Sequence, residues 1–335
     1  MTNMKDKVIK YIEAKGIKLD ETLLKYLDGG VKLTEQDESM HPFETYPLHH
    51  NESWYFNFID RSNNVYCVSR FSFEMGQKRS RILFLLVIDE NVTTYFKEVP
   101  FETMPDNLEF NKRLKYYCIK PMKQWRLTFE DRKIKLDVTF DARFPVFNSA
   151  AGEDPIAVLE EYGLEILDVA AQQHYEQAMN ANGTLTLKKK EETRTIDCLG
   201  HRDHSWGARD WVYIDGWNWG AAQFADKTIG FVRSDVLGKN PQFGFVSTKD
   251  GNQKIAKVEV TTQTKEDGKT PVSSTFLLTD ENGKTITLDS KTIFSMHLPL
   301  PSEKGITEIF EQVVIYTCEG EEGDGISEYL ISTRS

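Results

Sequence analysis

The chain has 335 residues and a formal net charge of −11, and 39% of its residues are hydrophobic and 12% aromatic. This length allows one large or two medium domains, each with a packed core. A net negative charge argues against a nucleic-acid partner, because binding to phosphates depends on basic side chains. The four cysteines are far apart and form no C-x-x-C pair, which argues against a zinc finger and fits a reducing compartment.

The N-terminal segment predicts helices and no targeting sequence. Residues 4–28 carry apolar side chains at helical spacing, interrupted at Gly16 and stopped at Gly29-Gly30, which predicts two short amphipathic helices that cap the protein. Residues 1–18 are charged and lack the apolar core of a signal peptide. No apolar run reaches the length of a membrane helix. We therefore expect a cytoplasmic protein with no integral membrane segment.

From residue 54 onwards the pattern is that of an antiparallel β protein. Short segments of alternating apolar and polar residues, such as 134–142, are separated by tight-turn pairs such as Asn282-Gly283. Residues 153–167, which begin with an Asp-Pro helix signal, interrupt this pattern as a predicted helix. The chain has no glycine-rich phosphate loop and no βαβ alternation. The pattern predicts antiparallel barrels or sandwiches.

Residues 200–211, GHRDHSWGARDW, carry the densest chemistry of the chain. Charged side chains are rarely buried unless they are paired, so this motif is either a buried ion-pair lattice or the wall of a site. In an extended strand, successive side chains point to opposite faces. One face would carry His201, Asp203 and Ser205, and the other would carry Arg202, His204 and Trp206.

A zinc site built from His201-x-x-His204 is a further interpretation of the same motif. Such a site would need a distant carboxylate as well, and strand alternation places the two His side chains on opposite faces with no cysteine to support them. We therefore expect no bound metal, and no other feature of the sequence indicates a cofactor.

Three more clusters carry polar and aromatic side chains in predicted strands. Residues 174–177, HYEQ, are either an exposed polar strand face or part of a site. Trp217 and Trp219 share one face of a strand and form either core packing or an aromatic wall for an apolar or cationic ligand. Glu328, near the end of the last strand, is expected to pair with an arginine of the 200–211 motif in a structural role.

In their order along the chain, these clusters resemble the tandem lipocalin-like proteins grouped with carotenoid 1,2-hydratase (hydroxyneurosporene synthase) and AttH-like proteins. The hydratases carry a similar Asp-His-x-Trp, here residues 203–206, followed by Gly-Trp-x-Trp, here residues 216–219. Ser205 stands where the hydratases carry an acidic residue. The resemblance follows the order of elements over about residues 45–335.

The resemblance implies two lipocalin-like β-barrels with the motif near their junction. For the hydratase branch it also implies addition of water to an isoprenoid double bond without a cofactor. The sequence thus predicts an all-β protein of two lipocalin-like antiparallel β-barrel or sandwich domains with a short N-terminal helical segment. The predicted divisions are a helical segment over residues 1–36, a first β domain over 37–195 and a second over 196–335.

The predicted function is that of a cofactor-independent lyase, hydratase or cyclase whose partner is a hydrophobic, isoprenoid-like small molecule bound at the junction. The alternative is a non-catalytic carrier of a lipophilic ligand. Asp203 is the expected general acid, which requires that burial raise its pKa. The other expected catalytic residues are His204, which would position water, Arg202, Arg209 and Asp210. The expected ligand-binding residues are Trp206, Trp217, Trp219, His174, Glu176 and Tyr175.

Overall fold

The computed structural model describes residues 4–18, 24, 32–101, 112–151, 154–170 and 172–335. It contains two antiparallel β units and only short helices, which confirms the all-β prediction. The second N-terminal helix, predicted to follow Gly16, lies outside the described residues. No helix in the described part of the chain combines the length and the apolarity that a membrane crossing requires.

The first unit is an open, half-barrel sheet. Its described strands are β1 (His50–Asp60), β2 (Val65–Glu74), β3 (Arg79–Ile88), β4 (Asn91–Pro100), β5 (Leu114–Lys120), β6 (Gln124–Glu130), β7 (Ile134–Ala142), β8 (Phe147–Asn148), β9 (Gln172–Leu187) and β10 (Glu192–Ala208). They follow the order β4-β3-β2-β1-β10-β9-β7-β6-β5, and β8 pairs with β9. Strand β10 therefore lies in the middle of the sheet, between β1 and β9.

The second unit is a closed barrel. Its strands are β11 (Ile214–Gln223), β12 (Thr228–Val236), β13 (Gln242–Thr248), β14 (Gly251–Thr264), β15 (Pro271–Asp280), β16 (Thr285–Ser302), β17 (Gly305–Cys318) and β18 (Glu321–Arg334). Each strand pairs with the next along the chain, and β18 pairs with β11. Closure leaves no unpaired sheet edge in this unit.

The division between the two units lies between Ala208, the last residue of β10, and Ile214, the first of β11. A single-turn 3₁₀ helix, Trp211–Tyr213, spans most of this connection. The predicted boundary at residue 195 falls within β10. The whole of β10 belongs to the first sheet, because its backbone pairs with β1 and β9 from Glu192 to Ala208.

The helices are α1 (Met4–Ala14), α2 (Pro155–Tyr162) and α3 (Ile166–Val169). The side chain of Asp154 accepts a hydrogen bond from the backbone N–H of Ile156, which confirms the N-cap that the sequence predicts. The predicted helix 153–167 is divided at Gly163, whose φ of 90° is strained for other residue types. Buried side chains of α1 pack against α2 and α3, so the helices form a small separate apolar cluster.

Strand β1 is buried along its whole length, because it is covered on both sides. Trp54 and Phe56 point into the core of the first sheet. Tyr55 points the other way and packs with Trp219 and Val313 of the barrel. The central strands β1 and β10 therefore separate an enclosed core from the junction between the two units, and the 200–211 motif runs along this division.

Candidate functional site

The side chains of β10 alternate between two environments, as the sequence predicts. Arg202, His204 and Trp206 point into the interior of the first sheet, and we call this side the sealed face. His201, Asp203 and Ser205 lie on the opposite side of the strand and point towards the barrel. We call this side the cavity face.

Arg202 is fully buried on the sealed face and forms an ion pair with Glu38. Its Nη2 lies 2.7 Å from Glu38 Oε1 and its Nη1 lies 2.9 Å from Oε2, a two-pronged contact. Gln177 Oε1 accepts from the same guanidinium at 2.7 Å. Burial disfavours the charge of Glu38, but the Arg202 guanidinium outweighs it and lowers the pKa of that carboxyl. The side chain of Arg202 thus fastens the 3₁₀ helix Glu35–Glu38 onto the sheet.

His204 and Glu52 meet on the same sealed face. His204 Nε2 lies 3.0 Å from Glu52 Oε1, and the imidazole stacks on Trp54 with 4.1 Å between ring centroids. His41 Nδ1 lies 2.7 Å from the same carboxylate oxygen, and the His41 ring stacks on Trp206. Burial disfavours the charge of Glu52, but its contacts with the His204 and His41 imidazoles lower its pKa to about 2. Burial also lowers the pKa of His204.

A cavity of about 610 Å³ lies at the junction, between the first sheet and the barrel. This volume is in the range that small-molecule ligands occupy. Its walls are largely apolar and come from both units. The apolar side chains that line it include Ile82, Leu83, Phe96, Trp217, Trp219, Val232, Phe243, Leu298, Leu300 and Ile309.

Four carboxyl groups line this cavity, and we call three of them, Asp203, Glu311 and Glu328, the carboxyl cluster. The fourth, Glu98, is ion-paired with Arg81. Glu311 and Glu328 lie directly opposite each other on β17 and β18. Tyr55 Oη donates a hydrogen bond to Glu311 Oε1 at 2.5 Å. Burial, and then the neighbouring charge of Glu328, raise the pKa of Glu311 well above its usual range. Burial also raises the pKa of Asp203. Burial and the facing carboxyl groups therefore favour a protonated form within the cluster.

Three arginines, Arg70, Arg81 and Arg209, line the same cavity. The Arg209 guanidinium lies 5.0 Å from the ring centroid of Trp211 and 5.6 Å from that of Trp217, within cation–π range. Burial, and then the positive charge of Arg70, lower the pKa of Arg209 to about 9. The cavity thus combines apolar walls, a carboxyl cluster and the half-buried guanidinium groups of Arg70 and Arg209.

Behind the cavity wall, Glu176 holds two further histidines. His174 Nε2 lies 2.9 Å from Glu176 Oε1, and His201 Nε2 lies 2.8 Å from Oε2. Trp219 Nε1 donates to Oε1 at 3.2 Å, and the Gln223 amide donates to His201 Nδ1. Burial disfavours the charge of Glu176, but the hydrogen bonds from the two histidines lower its pKa to about 2.

The structure brings together part of the predicted site at the cavity. Asp203, Arg209, Trp217, Trp219 and His174 line it. The remaining predicted residues lie elsewhere: Arg202, His204, Trp206 and Tyr175 are on the sealed face, Glu176 is behind the wall, and Asp210 is ion-paired with His49.

Glu328 does not pair with an arginine of the motif as expected. Its Oε1 accepts a hydrogen bond of 2.7 Å from Trp217 Nε1. The reason is topological: β18 pairs with β11, so the register sets Glu328 beside the tryptophans of β11 and opposite Glu311 of β17.

Five residues that contact the side chains of these two faces were not predicted from the sequence: Glu38, His41, Glu52, Tyr55 and Glu311. A signal for Glu52 is present, because it precedes Trp54 and Phe56 at the spacing of one strand face and is thus an acid on an apolar face. Glu38 and His41 lie in an irregular segment, which carries no such periodicity.

Known structures share this architecture. An AttH-like protein from Nitrosomonas europaea superposes with a TM-score of 0.63 and 12% identity, over 91% of this chain and 98% of that chain. The structure of CghA with Sch210972 gives 0.60 and 11%, over 85% and 89%. Kievitone hydratase from Nectria haematococca gives 0.58 and 13%, over 87% and 91%. The resemblance to tandem lipocalin-like proteins is therefore confirmed for the fold, which is what identities this low establish.

At the level of sequence, no curated protein matches the chain. Residues 34–332 match the family described as "Domain of unknown function (DUF7064)". This match spans most of the chain, and the protein belongs to this family.

Proposed function

We propose that this member of the DUF7064 family is a cofactor-independent enzyme of the lyase, hydratase or cyclase type. Its substrate is a hydrophobic, isoprenoid-like small molecule that binds in the junction cavity. One observation carries the proposal: the carboxyl cluster of Asp203, Glu311 and Glu328, with a raised pKa on Glu311, faces apolar and aromatic walls. A carboxyl with a raised pKa retains the proton that a general acid must supply.

The proposed reaction begins with transfer of the Glu311 proton to one carbon of a substrate double bond. The neighbouring carbon then becomes a cation. In a hydration, water captures this cation and then loses a proton. In a cyclisation, a second double bond of the same molecule captures the cation and leaves a new cation, which loses a proton from an adjacent carbon. In both cases the released proton returns to the ionised carboxyl, so the acid is regenerated and no cofactor is consumed.

Asp203, the acid expected from the sequence, is a member of the same cluster. We assign the transferable proton to Glu311 first, because this carboxyl is buried and the Glu328 carboxyl lies directly opposite it. The negative charge of Asp203 then favours the cation that forms. Trp217 and Trp219 offer aromatic faces to that cation.

The residues of the sealed face take an indirect part in this proposal. Arg202, His204 and Trp206 fix the backbone of β10 through contacts with Glu38, Glu52 and His41, and β10 in turn orients Asp203. The relatives give support at the level of fold: one is named a hydratase, and another was determined with a small molecule.

Native mass spectrometry of protein purified from its source tests for a retained hydrophobic molecule. With that molecule or its precursor in hand, we expect turnover in D₂O to place deuterium on one product carbon. Glu311→Gln removes the transferable proton and should lower turnover by about 10²–10⁴-fold.

Glu308→Gln is the matched control, because Glu308 lies on the same strand and its carboxylate pairs with Lys269 and His297. It should leave turnover within a factor of a few. Tight binding with no conversion and no deuterium uptake would reject the enzyme and indicate the lipophilic carrier instead.

A further inference from the structure

On the sealed face, three donor atoms converge from separate parts of the chain. His41 Nδ1, a Glu52 carboxylate oxygen and His204 Nε2 all lie within 4.8 Å of one another, and all three residues are buried. His41 follows the 3₁₀ helix Glu35–Glu38, Glu52 belongs to β1 and His204 to β10. Two imidazoles and a carboxylate are a common ligand set for zinc.

The outer nitrogens of both imidazoles are already committed as donors. His41 Nε2 lies 3.1 Å from Asp37 Oδ1, and an ionised carboxylate only accepts. His204 Nδ1 lies 3.2 Å from Tyr175 Oη, whose single hydrogen is directed to Glu38 Oε2 at 2.9 Å. With the hydroxyl hydrogen directed to Glu38, His204 Nδ1 donates to Tyr175. In both neutral rings the remaining nitrogen then presents a lone pair to Glu52, not a hydrogen.

Such an arrangement needs positive charge between the rings and the carboxylate. Either both imidazoles carry a second proton, or one divalent cation takes the place of the two protons; the total charge is the same. A divalent cation bound by two neutral imidazoles supplies the same positive charge, and neither ring then carries a second proton.

We propose that His41 Nδ1, His204 Nε2 and the Glu52 carboxylate form a binding site for a divalent transition metal, with zinc as the best match to the ligand set. The outer contacts fit this role. Metal-bound histidines usually donate their second N–H to a carboxylate or a similar acceptor, which fixes the ring and raises its basicity. Asp37 does so for His41, and Tyr175, backed by Glu38, does so for His204.

His50 is a further histidine near this cluster. It lies two residues before Glu52 on the same face of β1, and its buried Nε2 has no hydrogen-bond partner among the described residues. It is not one of the three residues whose donor atoms lie within 4.8 Å of one another. An ion held by those three ligands would complete its coordination with water or with this nitrogen.

The metal would serve folding, since the site lies on the opposite face of β10 from Asp203 and the cavity. It would tie the segment around His41 to the two central strands of the sheet. The expectation of no metal considered His201 with His204, which strand alternation separates. The partners proposed here come from residues upstream of β1 and from β1 itself. The inference does not depend on the proposed function.

Elemental analysis of protein purified without chelator or polyhistidine tag gives the first test, with one zinc per chain expected. Chelator-stripped protein should then bind added Zn²⁺ with a rise in melting temperature, and bound Co²⁺ should give the visible spectrum of a four-coordinate site. Stripped wild-type protein that takes up neither ion at a few-fold molar excess overturns the proposal.

Variants locate the ion. Glu52→Gln removes the charged ligand and should abolish stoichiometric binding, and Asp37→Asn, at the edge of the site, should weaken it by about 10-fold or more. His174→Gln is the matched control, since it removes a histidine from the Glu176 cluster on the other face and should leave zinc affinity unchanged. Zinc bound equally by all three variants would place the metal elsewhere and reject the site. If Glu52→Gln does not fold, Asp37→Asn and the wild-type cobalt spectrum decide.

Discussion

Strand β10 contributes one histidine to a His–Glu–His cluster on each of its faces: His201 to the cluster around Glu176, and His204 to the cluster around Glu52. The two clusters have the same composition but different hydrogen-bond arrangements. Glu176 and Glu52 are both fully buried, and the pKa of each is lowered to about 2. Glu176 receives its histidines on separate oxygens, and a Gln223 N–H donates to the outer nitrogen of His201. This cluster is complete with one proton on the inner nitrogen of each ring.

The Glu52 cluster is arranged in the opposite sense. Both histidines approach one oxygen, and both outer nitrogens face acceptors. In each histidine, the hydrogen-bond partner of the outer ring nitrogen therefore decides whether the inner nitrogen, which faces the carboxylate, carries a hydrogen or a lone pair. The two faces of the strand also have separate roles: the sealed face holds paired charges that stabilise the sheet, and the cavity face leaves charged groups available to a ligand.

The largest effect is expected from breaking the ion pair on the sealed face. Arg202→Met leaves the Glu38 carboxylate buried without its cation, which should cost about 3–5 kcal/mol of unfolding free energy in urea denaturation. Arg126→Met is the control, because its pair with Asp137 is partly exposed and should contribute no more than about 1 kcal/mol. Equal losses for both variants would show that the sealed face is not a structural lattice.

The second effect tests the cluster behind the cavity wall. Because the folded-state pKa of Glu176 is depressed to about 2, its contribution to stability is present above the unfolded pKa of about 4.3 and is lost as the pH falls towards 2. Glu176→Gln should therefore cost on the order of 3 kcal/mol at neutral pH. The difference from wild type should shrink between pH 4.3 and 2 in pH-dependent thermal unfolding. A difference that stays constant over this range would contradict the ionised Glu176.

The third effect separates the cavity face from the sealed face. Asp203→Asn should change unfolding free energy by less than about 1 kcal/mol, because Asp203 lines the cavity and is not the ion-pair partner of Arg202. Turnover should nevertheless fall by about 10²–10⁴-fold if the carboxyl cluster acts as proposed. A loss of roughly 3–5 kcal/mol would instead identify Asp203 as a buried partner of Arg209.

The smallest effect has the opposite sign. The folded-state pKa of Glu311 is raised, so its stabilising contribution is present below the unfolded pKa of about 4.3 and is lost as the pH rises above it. Glu311→Gln does not ionise and should raise stability at pH 8 by up to about 1 kcal/mol. Thermal melts at pH 5 and pH 8, with Glu308→Gln as the control, measure this gain. A gain over wild type that is no larger at pH 8 than at pH 5 would argue against a protonated Glu311.

The periodic parts of the chain were predictable and the irregular ones were not. Alternation along residues 201–206 correctly separates Asp203 from His204, and the Asp-Pro signal correctly starts α2. Period-two patterning carries this information because a strand has only two faces.

The partners across those faces could not be predicted in the same way. Glu38 reaches Arg202 from 164 positions away through a 3₁₀ helix, and Tyr55 meets Glu311 across 256 positions. Such pairs depend on which strands become neighbours, and a single sequence does not encode this locally. The acidic side chain at Glu52 on an otherwise apolar face is a sign of a buried partner, but it does not name the partner.

The two-faced character of β10 also has a consequence for how the protein acquires its fold. A slip of one residue in the pairing of β10 with β1 would exchange the faces, setting Arg202 against the barrel and Asp203 into the aromatic core. Folding therefore requires one particular register. Strand β1 pairs with a strand about 150 residues downstream, and pairing over so long a sequence separation is slow. During synthesis the apolar β1 emerges long before its neighbour, and its open edge is where premature association between chains would begin.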